Sequence, residues 1–339
     1  MTVDSKPKTT SSKGLRSLAT NLSQERIVFG IAVLMFIVFG ATLPGFLDPQ
    51  NIISLIQSVS ILGILGIGMA ITIIGRNIDL TVISVMAMST AWVLYMLGNG
   101  TPVFTAIVLG YLFVVAVGVI IGLLVAYAEI PAIFATLAMI TGVYGFSRVA
   151  LVDLDLAFLP ESASWMRGFG GGYVMGIPVP VIAFACVALI AHLFLKYTKL
   201  GTFVRMGGDN PLKARIAGVP TRPMIVFQYV LSTSIAFFAG ILLATLVATM
   251  NTRIVNSTMV YDVILVVVLG GVVLSGGRGS VISVIVGTLL IGMLLNGMTI
   301  MNISYSIQNL IKGIILLIAI IIDTYLNPRD EQTSQQGDI

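Results

Sequence analysis

Long apolar runs separated by brief polar punctuation organise the chain. Read against its glycines, prolines and charges, the pattern predicts apolar helices near 27–43, 52–74, 80–98, 103–128 and 130–152, then 178–197, 224–250, 258–274, 281–301 and 307–326. Several runs exceed the roughly 20 residues that a helix needs to cross about 30 Å of hydrocarbon, and the roughly 10-residue alternation of an outer-membrane barrel is absent. The predicted fold is all-α, a polytopic membrane bundle of about ten transmembrane helices. Little more than Glu129 and Pro131 separates the fourth and fifth runs, which leaves a broken or re-entrant helix open there. The segment 153–177 mixes acids, Trp165, Tyr173 and a glycine cluster, a composition suited to an interfacial loop or short surface helix.

Composition agrees with this pattern. The 339 residues are 57% hydrophobic and only 9% charged, far below the quarter or so usual in soluble domains. Mean hydropathy is +1.05. The polar, Ser/Thr/Lys-rich stretch 1–26 is too long, and the apolar run after it too extended, for a typical cleaved signal. It is expected to be a disordered cytoplasmic tail before a transmembrane domain at 27–326, with a second cytoplasmic tail at 327–339.

Charge orients the bundle. Lys6, Lys8, Lys13, Arg16 and Arg26 lie in the first tail, and Lys196, Lys199, Arg205, Lys213, Arg215 and Arg222 in or beside the central loop, 198–223. The opposite face holds Arg167 and Arg253 in loops, with Arg148 and Lys312 near helix ends. The positive-inside rule then places both termini and the central loop in the cytoplasm. The stretch "GRNIDLTVISV" at 75–85 echoes "GRGSVISV" at 277–284, too weakly to establish an internal repeat.

Candidate chemistry is sparse. One cysteine, Cys186, and one histidine, His192, provide no disulfide framework or cysteine metal site, and His192 is read as structural. No G-x-x-x-x-G-K-[ST] occurs, and "GVVLSGGRGS" lacks the lysine that reaches phosphates, so the chain is not expected to hydrolyse ATP or hold a cofactor. Gly277, Arg278 and Gly279 instead suit a tight cytoplasmic turn, and Asp79 suits an N-cap of the third helix. Ionisable groups at hydrocarbon depth must be paired or wet, so Asp262 and Lys312 form either a structural ion pair or part of a polar path. Gln57 and Asn296, with Ser58, Ser60, Gln228, Ser232, Thr233 and Ser234, add hydrogen-bonding groups that line a path or join helices.

The polar stretch "GGDNPLKARIAGVPTR", 207–222, reads as a capped helix of about two turns, 211–217. Asn210 is a good N-cap and Pro211 fits the first helical position. Gly218 suits the left-handed position after the helix, and Pro220 blocks continuation. So short a helix is marginal alone in water, so it docks on a partner or anchors anionic lipid headgroups.

"GDNPLKARIAGV" resembles the cytoplasmic loop of permease subunits of ribose-type ATP-binding-cassette (ABC) sugar importers, roughly G-x-N-x-x-A-A-R-x-x-G-I, with Gly208, Asn210, Ala214, Arg215 and Gly218 matching and Lys213 in place of an alanine. "GMAITIIGRNIDLTVIS", "PAIFATLAM", "VVVLGGVVLSGGRGSVISVIVGTLLIGMLLNGM" and "LIKGIILLIAIIID" are similar to further motifs of that family in the same order, over roughly residues 30–326. Arg76-Asn77, Ile83 and Ser283-Val284 depart from its pattern at helix-packing positions. The resemblance implies a type II ABC importer permease in a bacterial inner membrane, paired with an identical or related permease. It implies a coupling helix, carried by Gly208, Asp209, Asn210, Lys213, Ala214, Arg215 and Gly218, that inserts into a separate ATPase subunit holding ATP and Mg. It implies an extracytoplasmic solute-binding protein delivering a monosaccharide or polyol, and no nucleic-acid partner. A nucleoside or branched-chain amino acid as solute stays open. So do an ion-coupled secondary transporter with Asp262 as coupling carboxylate and a non-transporting scaffold.

Overall fold

The computed structural model describes residues 24–326. The tails at 1–23 and 327–339, including Lys6, Lys8, Lys13 and Arg16, lie outside the described residues. Ten apolar helices run back and forth between two ends of one bundle: α1 (Gln24–Thr42), α2 (Pro49–Ile74), α3 (Val82–Gly98), α4 (Val103–Ala126) and α5 (Ala132–Ala150), then α7 (Val179–Tyr197), α10 (Thr221–Val247), α11 (Met259–Gly270), α12 (Val281–Ile300) and α13 (Tyr305–Leu326). Seven are long and apolar enough to cross a membrane, while α1, α3 and α11 are shorter apolar helices.

The elbow after α4 joins two complete helices, so neither is broken or re-entrant. Instead, two other connections leave helical geometry inside the protein. At 12 residues α11 covers only about 18 Å, less than the hydrocarbon thickness. It stops at Gly271, whose φ is 104°, rather than continuing to 274 as its apolar run suggested. The following segment carries buried Val272 and Val273 as irregular backbone. Its amides find partners: Val272 N donates to Val267 O, Val273 N to Arg278 O, and Leu274 N to Asp323 Oδ2. Likewise 75–81 is irregular backbone before α3, with Asn77 N donating to Thr72 O and the Tyr229 hydroxyl donating to Ile78 O at 3.4 Å. Irregular backbone at membrane depth is tolerated only where protein satisfies it in this way.

Helices α2 and α3 form the centre. From Val59 to Ile74 and from Val82 to Ala91 every residue is buried, which explains why these sequences are apolar all round rather than amphipathic. Helix α10 crosses both and packs closely on α4, where Gly118 and Gly122 let the backbones meet. A Cβ on Gly122 would stand 2.5 Å from Val226 Cα, and one on Gly118 2.8 Å from Val230 Cα. Such small-residue contacts are the common means of joining helices where lipid supplies no hydrophobic drive. Helices α1, α4, α5 and α13 present Leu34, Phe104, Phe134 and Ile321 outward.

At the end opposite the central loop, residues 151–178 form more than a loop. Strand β1 (Leu156–Phe158) pairs antiparallel with β4 (Thr249–Asn251), while β2 (Tyr173–Val174) and β3 (Ile177–Pro178) make a hairpin, with a 3₁₀ turn and the short helix α6 (Arg167–Gly171) between. Arg148 reaches Asp153 at 2.9 Å and Asp155 at 3.4 Å, and Arg253 bonds the other oxygen of Asp155. The Arg253 hydrogen bond holds the Asp155 carboxyl below its ordinary range.

Thermal unfolding in detergent tests the glycine contact. Gly122→Leu is expected to destabilise by about 1–3 kcal/mol through overpacking, while Gly145→Leu, on α5 with nothing within 4 Å of its would-be Cβ, stays within about 0.5 kcal/mol. Equal melting for both variants would remove close packing as the reason for Gly122.

Candidate functional site

The central loop is built as two helices. The sequence reading foresaw one; the other, α8 (Lys199–Asp209), is capped by Thr198, whose side chain accepts from Gly201 N at 3.0 Å. That cap and the helical spacing of Leu200, Phe203 and Val204 in "KLGTFVRMGGD" were the available signals. Helix α9 (Pro211–Ile216) follows as expected: Asn210 Oδ1 accepts from Lys213 N at 3.0 Å, Pro211 takes the first position, and Gly218 adopts φ +81°. Ala214 faces inward and is buried, while Leu212, Lys213 and Arg215 are exposed and Ile216 is 86% exposed. Two large aliphatic side chains in a polar loop form a face that suits a partner better than water. Arg215 Nε donates to Thr221 Oγ1 at 3.1 Å, fastening α9 to the first residue of α10.

Upstream, the loop is fastened through backbone. A Cβ on Gly208 would overlap the carbonyl oxygen of Ile74, the last residue of α2. The same oxygen accepts from Gly277 N at 2.8 Å, and a Cβ on Gly277, whose φ is +75°, would stand 2.8 Å from Asp209 Cα. Gly208 and Asp209, read as coupling residues, and Gly277 and Gly279, read as a separate turn, therefore form one junction of three chain segments. Gly279 closes against Val272 and Ile74, and Arg278 is exposed, its carbonyl accepting from Val273 N.

Asp79 lies at the start of α3 but deeper than a helix-capping residue at the surface. Thr81 occupies the N-cap position of α3, and the Asp79 carboxylate accepts from the Thr81 amide at 2.9 Å and from its hydroxyl, with Ser232 on its other side. It is wholly buried within the bundle, because the irregular segment 75–81 carries it inward. Gln228 is part of the same buried polar seam, its Oε1 accepting from Asn77 Nδ2 at 3.3 Å.

Asp262 and Lys312 do meet, at 2.7 Å, but at the end opposite α9. Lys312 Nζ also donates to Thr258 Oγ1 at 3.3 Å and lies 5.8 Å from the centre of the Tyr305 ring, so the pair joins α11 to α13. Asn296 is held by Asn51 through reciprocal amide hydrogen bonds of 2.8 and 3.1 Å between α12 and α2, a partner the sequence reading missed. Gln57 is half-buried on α2. A cleft of about 330 Å³ beside Asn296, lined also by Ser54, Ser58 and Thr299, opens between α2 and α12. At the α9 end, a second cleft of about 460 Å³ separates Pro211, Leu212 and Arg215 from Glu129, Ile130 and Pro131. Among the described residues no three His, Cys, Asp or Glu side chains gather as a metal site.

A bundle of ten apolar helices with irregular segments at depth and a helical loop fastened at both ends has the make-up of a transport protein. Comparison with known proteins identifies the class: residues 51–320 match the family described as branched-chain amino acid transport system / permease component. The chain belongs to that family of permease components of ABC importers and is a multi-pass membrane transport subunit. It is 34% identical over 294 residues to the ribose import permease protein of Bacillus subtilis, covering 87% of this chain and 90% of that one. The ribose import permease protein of Escherichia coli is 30% identical over 297 residues, 86% of this chain and 92% of its own. The L-arabinose ABC transporter permease protein of Azospirillum brasilense is 30% identical over 295 residues, 87% and 86% of the two chains. No solved structure matches.

The buried pair gives a direct test. Lys312→Met alone leaves an uncompensated carboxylate and is expected to cost about 3–5 kcal/mol in detergent unfolding, whereas adding Asp262→Leu recovers most of the loss. A double variant no more stable than the single one would mean that the pair is wet or mobile.

Proposed function

We propose that this chain is the permease subunit of an ABC importer that carries a small sugar, a monosaccharide or related polyol, across a bacterial inner membrane. Ribose and arabinose permeases aligned over nearly all of the chain support the solute class. A solute-binding protein would deliver the sugar to the end that carries the β1–β4 ladder. The α8–α9 loop would face the cytoplasm, as its Lys199, Arg205, Lys213 and Arg215 favour. Both termini would lie on that side, with 27–326 as the transmembrane domain and the tails outside it. A second permease, identical or related, would complete the pathway.

Helix α9 is the observation that carries the reading. It is capped at both ends, fastened on both sides, and leaves Leu212 and Ile216 exposed among the described residues. In this reading Gly208, Asp209, Asn210, Lys213, Ala214, Arg215 and Gly218 build the element that docks on a separate ATPase subunit, where ATP and Mg are bound. Gly208 and Asp209 anchor it, Asn210 and Gly218 shape it, Ala214 seats it, and Lys213 and Arg215 face the partner. The permease transmits the ATPase cycle by shifting between two packings, and needs no cofactor of its own.

Copurification from native membranes tests this. The parent chain is expected to bring down a subunit with ATPase activity, and a variant carrying Asn210→Ala, Arg215→Glu and Gly218→Leu is expected to lose it while still inserting in the membrane. A parent chain that retains no ATPase would overturn the importer reading and favour transport coupled to an ion gradient.

A further inference from the structure

Helix α5 is held differently from its neighbours. Only Ala135, Thr136, Val143 and Ser147 of its residues are buried, whereas α2 is buried continuously over its last four turns. Its two ends are instead clasped by charge. At one end Arg148 meets Asp153 and Asp155. At the other, in the elbow that precedes α5, Glu129 Oε1 lies 2.7 Å from Arg222 Nη2, and the Arg222 guanidinium also covers the Tyr127 ring at 5.6 Å.

Arg222 is the second residue of α10, next to Thr221, which receives the hydrogen bond from Arg215 of α9. The ion pair lies beside the cleft of about 460 Å³ that keeps Pro211, Leu212 and Arg215 apart from Ile130 and Pro131. Side chains therefore do not pack α9 onto the elbow directly, and the charged contact links the two. The fastening upstream of α9 is of another kind. Gly208, Ile74 and Gly277 meet backbone to backbone with no room for a side chain between them, while the Glu129 and Arg222 side chains are 55% and 45% exposed and can separate into water.

We infer that Glu129 and Arg222 form a releasable latch through which movement of α9 is passed to the α4–α5 elbow and so to α5, with Arg222 and Glu129 acting as positioning residues for transport. The inference rests on the importer reading above. Upstream, the glycine junction serves as the fixed pivot. Downstream, the latch decides whether α5 follows.

The test reconstitutes the full complex, permease with its ATPase and binding protein, in liposomes and measures sugar transported per ATP hydrolysed. Glu129→Gln and Arg222→Gln are each expected to lower that ratio by about fivefold or more, the scale of a modest coupling between sites. Melting temperature and ATPase retention should stay at the parent's values, because an exposed pair contributes little to folding. The exchanged variant, Glu129→Arg with Arg222→Glu, is expected to restore the ratio to within about twofold of the parent. Single variants that transport like the parent, or an exchanged variant no better than the singles, overturn the latch. Loss of the ratio together with loss of ATPase retention or melting temperature also overturns it, in favour of a purely structural contact. A parent chain that never retains an ATPase refutes the importer reading itself, an outcome read before any variant is made.

Discussion

A backbone that leaves helical geometry inside a membrane protein must find a partner for every amide it frees, and much of this architecture follows from that requirement. The carbonyl oxygen of Ile74 is where it is met most tightly. It ends α2, accepts from Gly277, and is pressed by Gly208, so the end of the central helix, the turn before α12 and the α8–α9 loop share one point. A side chain at Gly208 or Gly277 would push these segments apart. The short helices α3 and α11 are workable because the irregular segments beside them are satisfied there and by Asp323, Thr72 and Tyr229.

This arrangement divides the bundle into parts with different freedom. Helices α2, α3 and α10 are joined by buried apolar surface and by glycine-mediated backbone contact, which tolerate little sliding. Helices α5 and α13 carry few buried residues and are attached largely through polar groups near their ends. A transporter needs both kinds of attachment, since a uniformly packed bundle would have one shape and a uniformly loose one would leak. Buried polar groups such as Asp79 and Gln228 lie in the tightly packed part, where the hydrogen bond from Asn77 to Gln228 ties the segment before α3 to α10.

What the sequence made legible was local. Ten apolar runs became ten helices, and Asn210, Pro211 and Gly218 became the caps of α9 because capping depends on the few residues beside it. The Asp262–Lys312 pair was also accessible, because few charges lie at that depth and each needs a partner. Contacts made across long sequence separations were not legible. Nothing near Asn296 announces Asn51, and nothing near Glu129 announces Arg222. Gly208, read as a coupling residue, and Gly277 and Gly279, read as a tight turn, appeared unrelated because what they share is a third segment. The depth of Asp79 was hidden for a related reason: its carboxylate does accept from the Thr81 amide at the start of α3, a local feature, whereas the irregular chain before Thr81 carries it into the interior.

The β1–β4 ladder has a consequence for how the protein is made. Leu156–Phe158 leaves the ribosome roughly ninety residues before its partner Thr249–Asn251, at the usual rate of about 5–20 residues per second, and α7 and α10 must enter the membrane in between. Until then Arg148 and Asp153 can meet, but Arg253 and the pairing strand are not yet present. That face of the newborn chain therefore stays open through about a quarter of synthesis and is closed by a segment from the second half, so the ladder forms only once both halves have been made.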